Sequence, residues 1–224
     1  MCELFGYNAK IEQRLSAFPE FAEFVSHSKD NPDGWGIGYY TPTARIQKQP
    51  IPAEKSKLLQ EIITSDLSTK TLVAHIRHAS VGGKVYTNTH PFRKRHWIFA
   101  HNGNIKDYKA LSYGHFVPEG TTDSEHIFGW LLYEIEKSNK HEEQIIVEAA
   151  RHLRSLGRCN FLLADGKTLY AHADSTPETK KLHYAEREEV VVVSTYPLTR
   201  EQWKGVEDGA LLVCRDGKVI ARIK

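Results

Sequence analysis

The distribution of apolar residues constrains this chain most. Short runs rich in Val, Ile, Leu and aromatic residues occupy both ends, and two longer stretches with helical spacing lie between them. Asp123 to Lys137 and Glu142 to Leu156 read as helices, the second closed by Gly157. Beyond them the sequence is nearly all β: Cys159 to Ala164, Lys167 to Ala173, Lys181 to Tyr184, Val190 to Thr195, Ala210 to Cys214 and Lys218 to Arg222. Asp165-Gly166 and Asp216-Gly217 join strand-like runs as hairpin turns do. Ahead of the helices, Leu4 to Tyr7 reads as a strand, and Trp35 to Tyr40 with Ala44 to Lys48 as a hairpin through Thr41-Pro42-Thr43. Thr71 to Ile76 reads as a buried strand, and His96 to His101 as another that ends at Asn102-Gly103. Glu12 to Ser26 has helical spacing but contains Pro19, which predicts two short helical pieces; Lys55 to Ile63 predicts one more helix. Strands, then paired helices, then strands predict an α+β fold in which two antiparallel sheets pack together under helical layers.

A chain of 224 residues has room for one substantial domain or two small ones, and nothing in the composition asks for two. Residues 1–224 are therefore expected to form a single domain. Hydrophobic content of 40% and a formal charge of +2 are ordinary for a globular protein and too even to predict a nucleic-acid or membrane surface. The basic run Arg93-Lys94-Arg95-His96 is short and reads as a solvated turn. There is no charged segment followed by an apolar run at the start and no apolar stretch near 18 residues, so neither a signal peptide nor a membrane span is expected. Three scattered cysteines without a CxxC argue against a structural zinc site and a disulfide framework, and fit a reducing, cytoplasmic setting.

Cys159 and Cys214 lie in apolar runs and read as small core residues; Cys2 has a different context. A methionine ahead of so small a side chain is normally trimmed, which would put a thiol and a free α-amine on one residue. An α-amine ionises at roughly 7.7–8.0 and a thiol near roughly 8.5, a close match for proton transfer around neutrality. Alone, a cysteine at position 2 is also what chance composition produces.

Four clusters carry polar chemistry, each with a purely structural explanation beside it. Asn31-Pro32-Asp33-Gly34-Trp35-Gly36-Ile37-Gly38 lacks the spacing of a dinucleotide fingerprint; it is a turn, or a place where a substrate or another backbone comes close. In His75-Ile76-Arg77-His78-Ala79 at a strand end, Arg77 is either paired within the sheet or aimed at an anionic ligand, for which a guanidinium fork suits a carboxylate. The two histidines there have no carboxylate at ligand spacing, so a metal is not expected. Asn102-Gly103 is a tight turn, or a pair of oxyanion donors made of a side-chain amide and a backbone N–H. Thr122 with Glu125 forms a capping box, with Asp123 at the first helical position, where it is also free to receive an ammonium group.

The order of these clusters, with the motifs MCEL, NPDGWGIGY, AHIRHAS, NTHPF, AHNGNI and TTDSE, resembles the class II (N-terminal nucleophile) glutamine amidotransferases, especially the stand-alone bacterial members of the YafJ type. The resemblance continues more weakly through FLLADG and STYPL. It implies a four-layer αββα sandwich of two antiparallel sheets, the N-terminal nucleophile hydrolase fold. It implies Cys2 as nucleophile toward the γ-amide of glutamine or a γ-glutamyl compound, with its own α-amine as base. Asn102 and Gly103 would hold the oxyanion, Arg77 the substrate α-carboxylate and Asp123 its α-ammonium. Trp35 and His90 would line or support the pocket. A γ-glutamyl thioester would form on Cys2 and be hydrolysed, with no metal or cofactor. Because 224 residues leave no room for a synthase domain, ammonia transfer would need a separate synthase as partner; a glutaminase subunit of that kind and a non-catalytic ligand-binding relative are the alternatives to a plain amidohydrolase.

Overall fold

The computed structural model describes residues 2–175 and 182–224. In chain order the elements are β1 (Glu3–Arg14), α1 (Pro19–Ser26), β2 (Trp35–Tyr40), β3 (Ala44–Gln49), α2 (Lys57–Thr64), β4 (Ser68–Ile76), β5 (Phe92–Lys94), β6 (Trp97–Ile105), α3 (Asp123–Lys137), α4 (Glu142–Leu156), β7 (Gly157–Ala164), β8 (Thr168–His172), β9 (His183–Glu186), β10 (Val190–Ser194), β11 (Lys204–Gly205), β12 (Leu211–Arg215) and β13 (Lys218–Ile223). They form a seven-stranded sheet, ordered β11-β9-β10-β1-β4-β2-β3, and a six-stranded sheet, ordered β13-β12-β8-β7-β6-β5.

Strand alternation sorts the apolar residues into three cores. Leu4, Val73, Ile98, Ala100, Leu162 and Ala171 fill the layer between the sheets. Phe5, Tyr7, Leu72 and Ala74 point out of the first sheet and are covered by Phe21 and Phe24 of α1 and Leu59 of α2. Phe99, Phe161, Leu163 and Tyr170 point out of the second sheet and are covered by α3 and α4 through Ile127, Phe128, Leu131, Ile146 and Leu153. The result is the expected αββα sandwich.

Several boundaries depart from the sequence reading. β1 continues to Arg14, because after an irregularity its tail pairs again with β4 (Gln13 with Thr69, Arg14 with Ser68). The first of the two expected helical pieces is therefore strand followed by one 3-10 turn at Leu15–Ala17, and the helix proper starts with Pro19 at its first position. α2 begins at Lys57 because the Ser56 hydroxyl caps it, accepting from the Leu59 N–H at 3.0 Å. The basic run is not wholly a turn. Phe92–Lys94 pairs with β6 as a short edge strand, and Arg95, at φ 55°, turns the hairpin. Of the strand expected from Lys181, residue 181 lies outside the described residues and β9 starts at His183. Asp216 and Gly217 both have positive φ, the geometry of the two-residue hairpin their sequence predicts.

Candidate active site

The same alternation fixes where the site lies. Leu4 pairs with His75, and Glu3 with Ile76; one step further along this register sets Cys2 opposite Arg77, on the inter-sheet side with Leu4, His75 and Val73. On the second sheet, Asn102 shares its side with Ile98 and Ala100. Cys2, Arg77 and Asn102 thus meet at one end of the layer between the sheets. The Asn102 amide donates to the Cys2 carbonyl at 2.6 Å, tying the two sheets together there. The Cys2 thiol lies 3.2 Å from both the backbone N–H and the carbonyl of His78. Burial pushes its ionisation up, offset in part by the His78 N–H and the Arg77 guanidinium, both of which favour the thiolate. Cys159 and Cys214 are fully buried in apolar cores, with ionisation pushed up by that burial and no opening to a site.

The start of β1 is held from its other side. Leu4 donates to the Thr195 hydroxyl at 2.9 Å, and Thr195 returns its N–H to the Leu4 carbonyl at 3.0 Å. Thr195 lies in the weakest of the family-like motifs, and only the long-range pairing of β1 with β10 reveals its position.

Arg77 is 2% exposed and grips the following loop. Its guanidinium donates to the carbonyls of Val81 at 2.9 Å, Gly83 at 3.1 Å and Gly82 at 3.4 Å. Three of its five N–H groups are used in this way. Asp33, from the Pro-Asp-Gly turn, clamps the same loop at both ends: it accepts from the Ala79 N–H at 2.8 Å and pairs with Lys84 at 2.5 Å. Burial alone would raise the Asp33 carboxyl, but Lys84 and the Ala79 N–H outweigh it and hold it below the usual range. Sequence reasoning saw the turn and missed this clamp.

Asp123 enters from the outer layer at the first position of α3. Its carboxylate accepts from the Ile105 N–H at 2.8 Å, fixing it beside the end of β6. The Thr122 hydroxyl caps the helix through the Glu125 N–H at 3.3 Å. The Glu125 carboxylate does not return to Thr122 as a reciprocal box requires; it accepts from Glu119 and Gly120 at 2.9 and 2.6 Å. Gly103 is a glycine for steric reasons: a Cβ there would collide with the Arg158 carbonyl on β7 and crowd the His101 ring. Its backbone therefore lies unusually close to β7, next to Asn102.

Three buried imidazoles surround this constellation. His101 meets the Arg158 carbonyl through Nε2 at 3.1 Å, which makes that nitrogen the donor, and Nδ1 lies 2.9 Å from the Ser124 hydroxyl. His75 and His90 pack ring to ring with centroids 4.2 Å apart, and none of their nitrogens makes a well-formed hydrogen bond with a described residue. Burial holds His75 down to about 3 and His90 well below the ordinary histidine range. His90 packs between the rings of His75, two residues before Arg77, and Phe92. Trp35 belongs to the core on the opposite side of the first sheet, with Phe21, Phe24 and Leu59, and supports β2 from outside. The described residues hold no group of three or more His, Cys, Asp or Glu side chains arranged for a metal.

A thiol, a side-chain amide beside a backbone that accepts no side chain, a buried guanidinium and a buried carboxylate at a helix start are thus the polar groups at this end of the double sheet. The model of the class II glutamine amidotransferases matches residues 1–188 and 179–224, and the chain belongs to that family. It is 30% identical to the putative glutamine amidotransferase YafJ of Escherichia coli over 98% of this chain and all of that one. The crystal structure of a predicted glutamine amidotransferase from Pseudomonas aeruginosa superposes with a TM-score of 0.69 at 25% identity, covering 98% of this chain and all of that one. The glutamine phosphoribosylpyrophosphate amidotransferase of Bacillus subtilis shares the fold, with a TM-score of 0.72 at 20% identity over 96% of this chain and 47% of that one. The architecture is that of the N-terminal nucleophile hydrolases. No helix among the described residues is long and apolar enough to cross a membrane.

Proposed function

We propose that the protein hydrolyses the γ-amide of glutamine or of a γ-glutamyl compound, with Cys2 as nucleophile. The observation that carries this is the convergence of Cys2 with Asn102 at 2.6 Å from its carbonyl and with His78, the neighbour of Arg77, at 3.2 Å from its sulfur. Once Met1 is removed, the α-amine of Cys2 takes the thiol proton and the sulfur adds to the amide carbon. The second amide proton of Asn102 and the Gly103 N–H stabilise the oxyanion; one such donor supplies about 2.7–4 kcal/mol. Collapse breaks the C–N bond, the leaving amine takes the proton from the α-ammonium, and a γ-glutamyl thioester stays on sulfur. Water, deprotonated by the same amine, then releases glutamate.

Arg77 and Asp123 are complementary to the two charges of an amino-acid head group. Arg77 has two N–H groups beyond those given to the loop, and Asp123 is fixed in place through one oxygen. An analogue lacking either charge leaves a buried partner unmet, which is how the site would select γ-glutamyl groups. Three free cysteines fit a reducing, cytoplasmic setting for this chemistry. The test is glutamate release from glutamine and a panel of γ-glutamyl amides and peptides, with intact mass confirming the loss of Met1. Cys2→Ala abolishes turnover; undiminished release by that variant refutes the mechanism.

A further inference from the structure

A cleft of about 440 Å³ opens where β3, the edge of the seven-stranded sheet, faces β5, the edge of the six-stranded sheet. None of Cys2, Arg77, Asn102 and Asp123 lines it. Its walls carry Arg45, Lys48 and Arg93 together with Glu119 and Glu125. Both carboxylates are already engaged. Lys94 lies 3.5 Å from Glu119 and 3.8 Å from Glu125, and each Glu125 oxygen accepts a backbone N–H. The two arginines are not. The side chains of Arg45 and Arg93 make no hydrogen bond or ion pair with any described residue. Lys48 is 6% exposed, donates once, to the Thr89 carbonyl at 2.6 Å, and otherwise meets the rings of Tyr86 and Phe92 at 4.8 and 5.0 Å.

We propose that this cleft is a second ligand site, which takes a phosphate group, free or carried on a small molecule, on Lys48, Arg45 and Arg93. Three lining cations face two carboxylates that Lys94 already pairs from outside the lining, which leaves an excess of positive charge for an anion to meet. Guanidinium forks match phosphate oxygens, and a compact ammonium matches them as a point charge. The two open sheet edges add backbone N–H groups that no neighbouring strand uses. A buried ammonium without a carboxylate in contact is costly, and a dianion offsets that cost directly. Burial draws Lys48 down to about 8, with Glu125 and Glu119 opposing and Lys94 adding to the shift. An anion beside it therefore pulls a proton onto Lys48 near that pH. Arg45, Arg93, Glu119 and Glu125 line the cleft with it, and Lys94 and His90 act on its charge from outside the lining.

A chain of hydrogen bonds connects the cleft to the loop that Arg77 holds. Lys48 holds Thr89, while the neighbouring Asn88 donates to the Gly83 carbonyl that Arg77 grips and accepts from the Thr121 N–H ahead of Asp123.

Titration calorimetry of the full chain with inorganic phosphate at constant ionic strength tests the site, in two buffers of different ionisation enthalpy at pH 8. Saturable binding with Kd of about 1 mM or tighter is expected, with net proton uptake, and with glutarate binding at least tenfold more weakly. Arg93→Ala weakens phosphate binding about tenfold, and Lys48→Met does so and removes the proton uptake. Lys48→Met replaces a costly buried charge with an apolar chain of similar length and should fold; if it does not, Arg45→Ala paired with Arg93→Ala decides. Absence of saturable phosphate binding, equal binding of glutarate, or unchanged affinity in the arginine variants overturns the proposal.

Discussion

Acid should unfold this protein through its histidines, well before its carboxylates protonate. His75 and His172 are buried to within 1% of full exclusion, and burial lowers them to about 3 and about 4. For a base whose folded value is depressed, the folded state refuses protons that the unfolded chain accepts. Stability is therefore complete above the unfolded value of about 6.5 and is lost as pH falls from there toward the folded values. Each ring contributes about 1.4 kcal/mol per pH unit in that window, so these two alone give a slope of about 2.7 kcal/mol per unit. Between pH 7.5 and pH 5 the loss comes to about 4 kcal/mol, against a total of about 5–15 kcal/mol for a typical domain. His90 and His101 are also lowered by burial and act in the same direction. Asp33, Glu201 and Asp208, held below the usual carboxylate range, lose their stabilisation only at lower pH, so the window from 6.5 to 5 isolates the imidazoles.

Urea unfolding followed by circular dichroism at half-unit steps of pH reads this slope directly. His172→Asn provides the control. The His172 Nδ1–H donates to the Cys159 carbonyl at 2.7 Å, and an asparagine amide presents its N–H at nearly the same position without titrating. The variant's slope should be smaller than the parent's by about 1.4 kcal/mol per unit, the contribution of one proton. A free energy of unfolding that stays flat from pH 7.5 to 5 would show that the folded protein takes up these protons freely, and the burial argument fails.

Three further outcomes follow from the site. Gly103→Ala pushes a methyl into the Arg158 carbonyl and should cost more than about 3 kcal/mol of stability, read as a lowered urea midpoint; a midpoint within error of the parent refutes the steric account. Asn102→Ala should lower kcat about 10²–10³-fold with a smaller change in KM, measured as glutamate release; an effect confined to KM removes the oxyanion role. Arg77→Lys cannot hold the carbonyls of residues 81–83 and a carboxylate together, so KM for a γ-glutamyl substrate should rise at least about tenfold. Unchanged KM would mean that Arg77 serves the loop alone.

Local chemistry was the readable part of the sequence. The helices α3 and α4, the two Asp-Gly hairpins and most strands follow from periodicity and turn residues, because those signals act over a few positions. Glu12 to Arg14 misled for the same reason. Its helical spacing is real, but pairing with Ser68 and Thr69, distant in sequence, keeps it extended. The basic run misled similarly, since Phe92 is drawn under α3 and carries Arg93 and Lys94 into a strand. Within the site, Cys2, Arg77, Asn102 and Asp123 were legible as residue types in order, while their supports were not. Thr195 reaches Leu4 across 191 positions and Asp33 reaches Ala79 across 46, distances over which no spacing rule operates.

The geometry also explains why these particular positions hold the polar groups. Along the inter-sheet layer, β1, β4 and β6 carry Leu4, Val73, Ile98 and Ala100 until they reach one common end. There the inward positions are Cys2, Asn102 and, one step beyond His75, Arg77. A layer of two packed sheets must stop somewhere, and at its margin the inward side chains meet solvent on one side and a dry core on the other. Groups placed there are oriented by the strands yet remain reachable. Low-dielectric packing behind them, including neutral His75 and His90, strengthens every charge interaction made in front. α3 begins against β6 with Asp123 at its positive terminus, so that carboxylate is fixed by the Ile105 N–H and free on its other oxygen except for the Ser124 hydroxyl at 3.3 Å. The acidic and basic poles thus come from different layers of the sandwich, and their separation is set by sheet and helix packing. A substitution that shifts α3 against β6, such as Phe99→Ala beneath the Phe128 ring stacked at 5.1 Å, should weaken binding of a zwitterionic substrate without touching it.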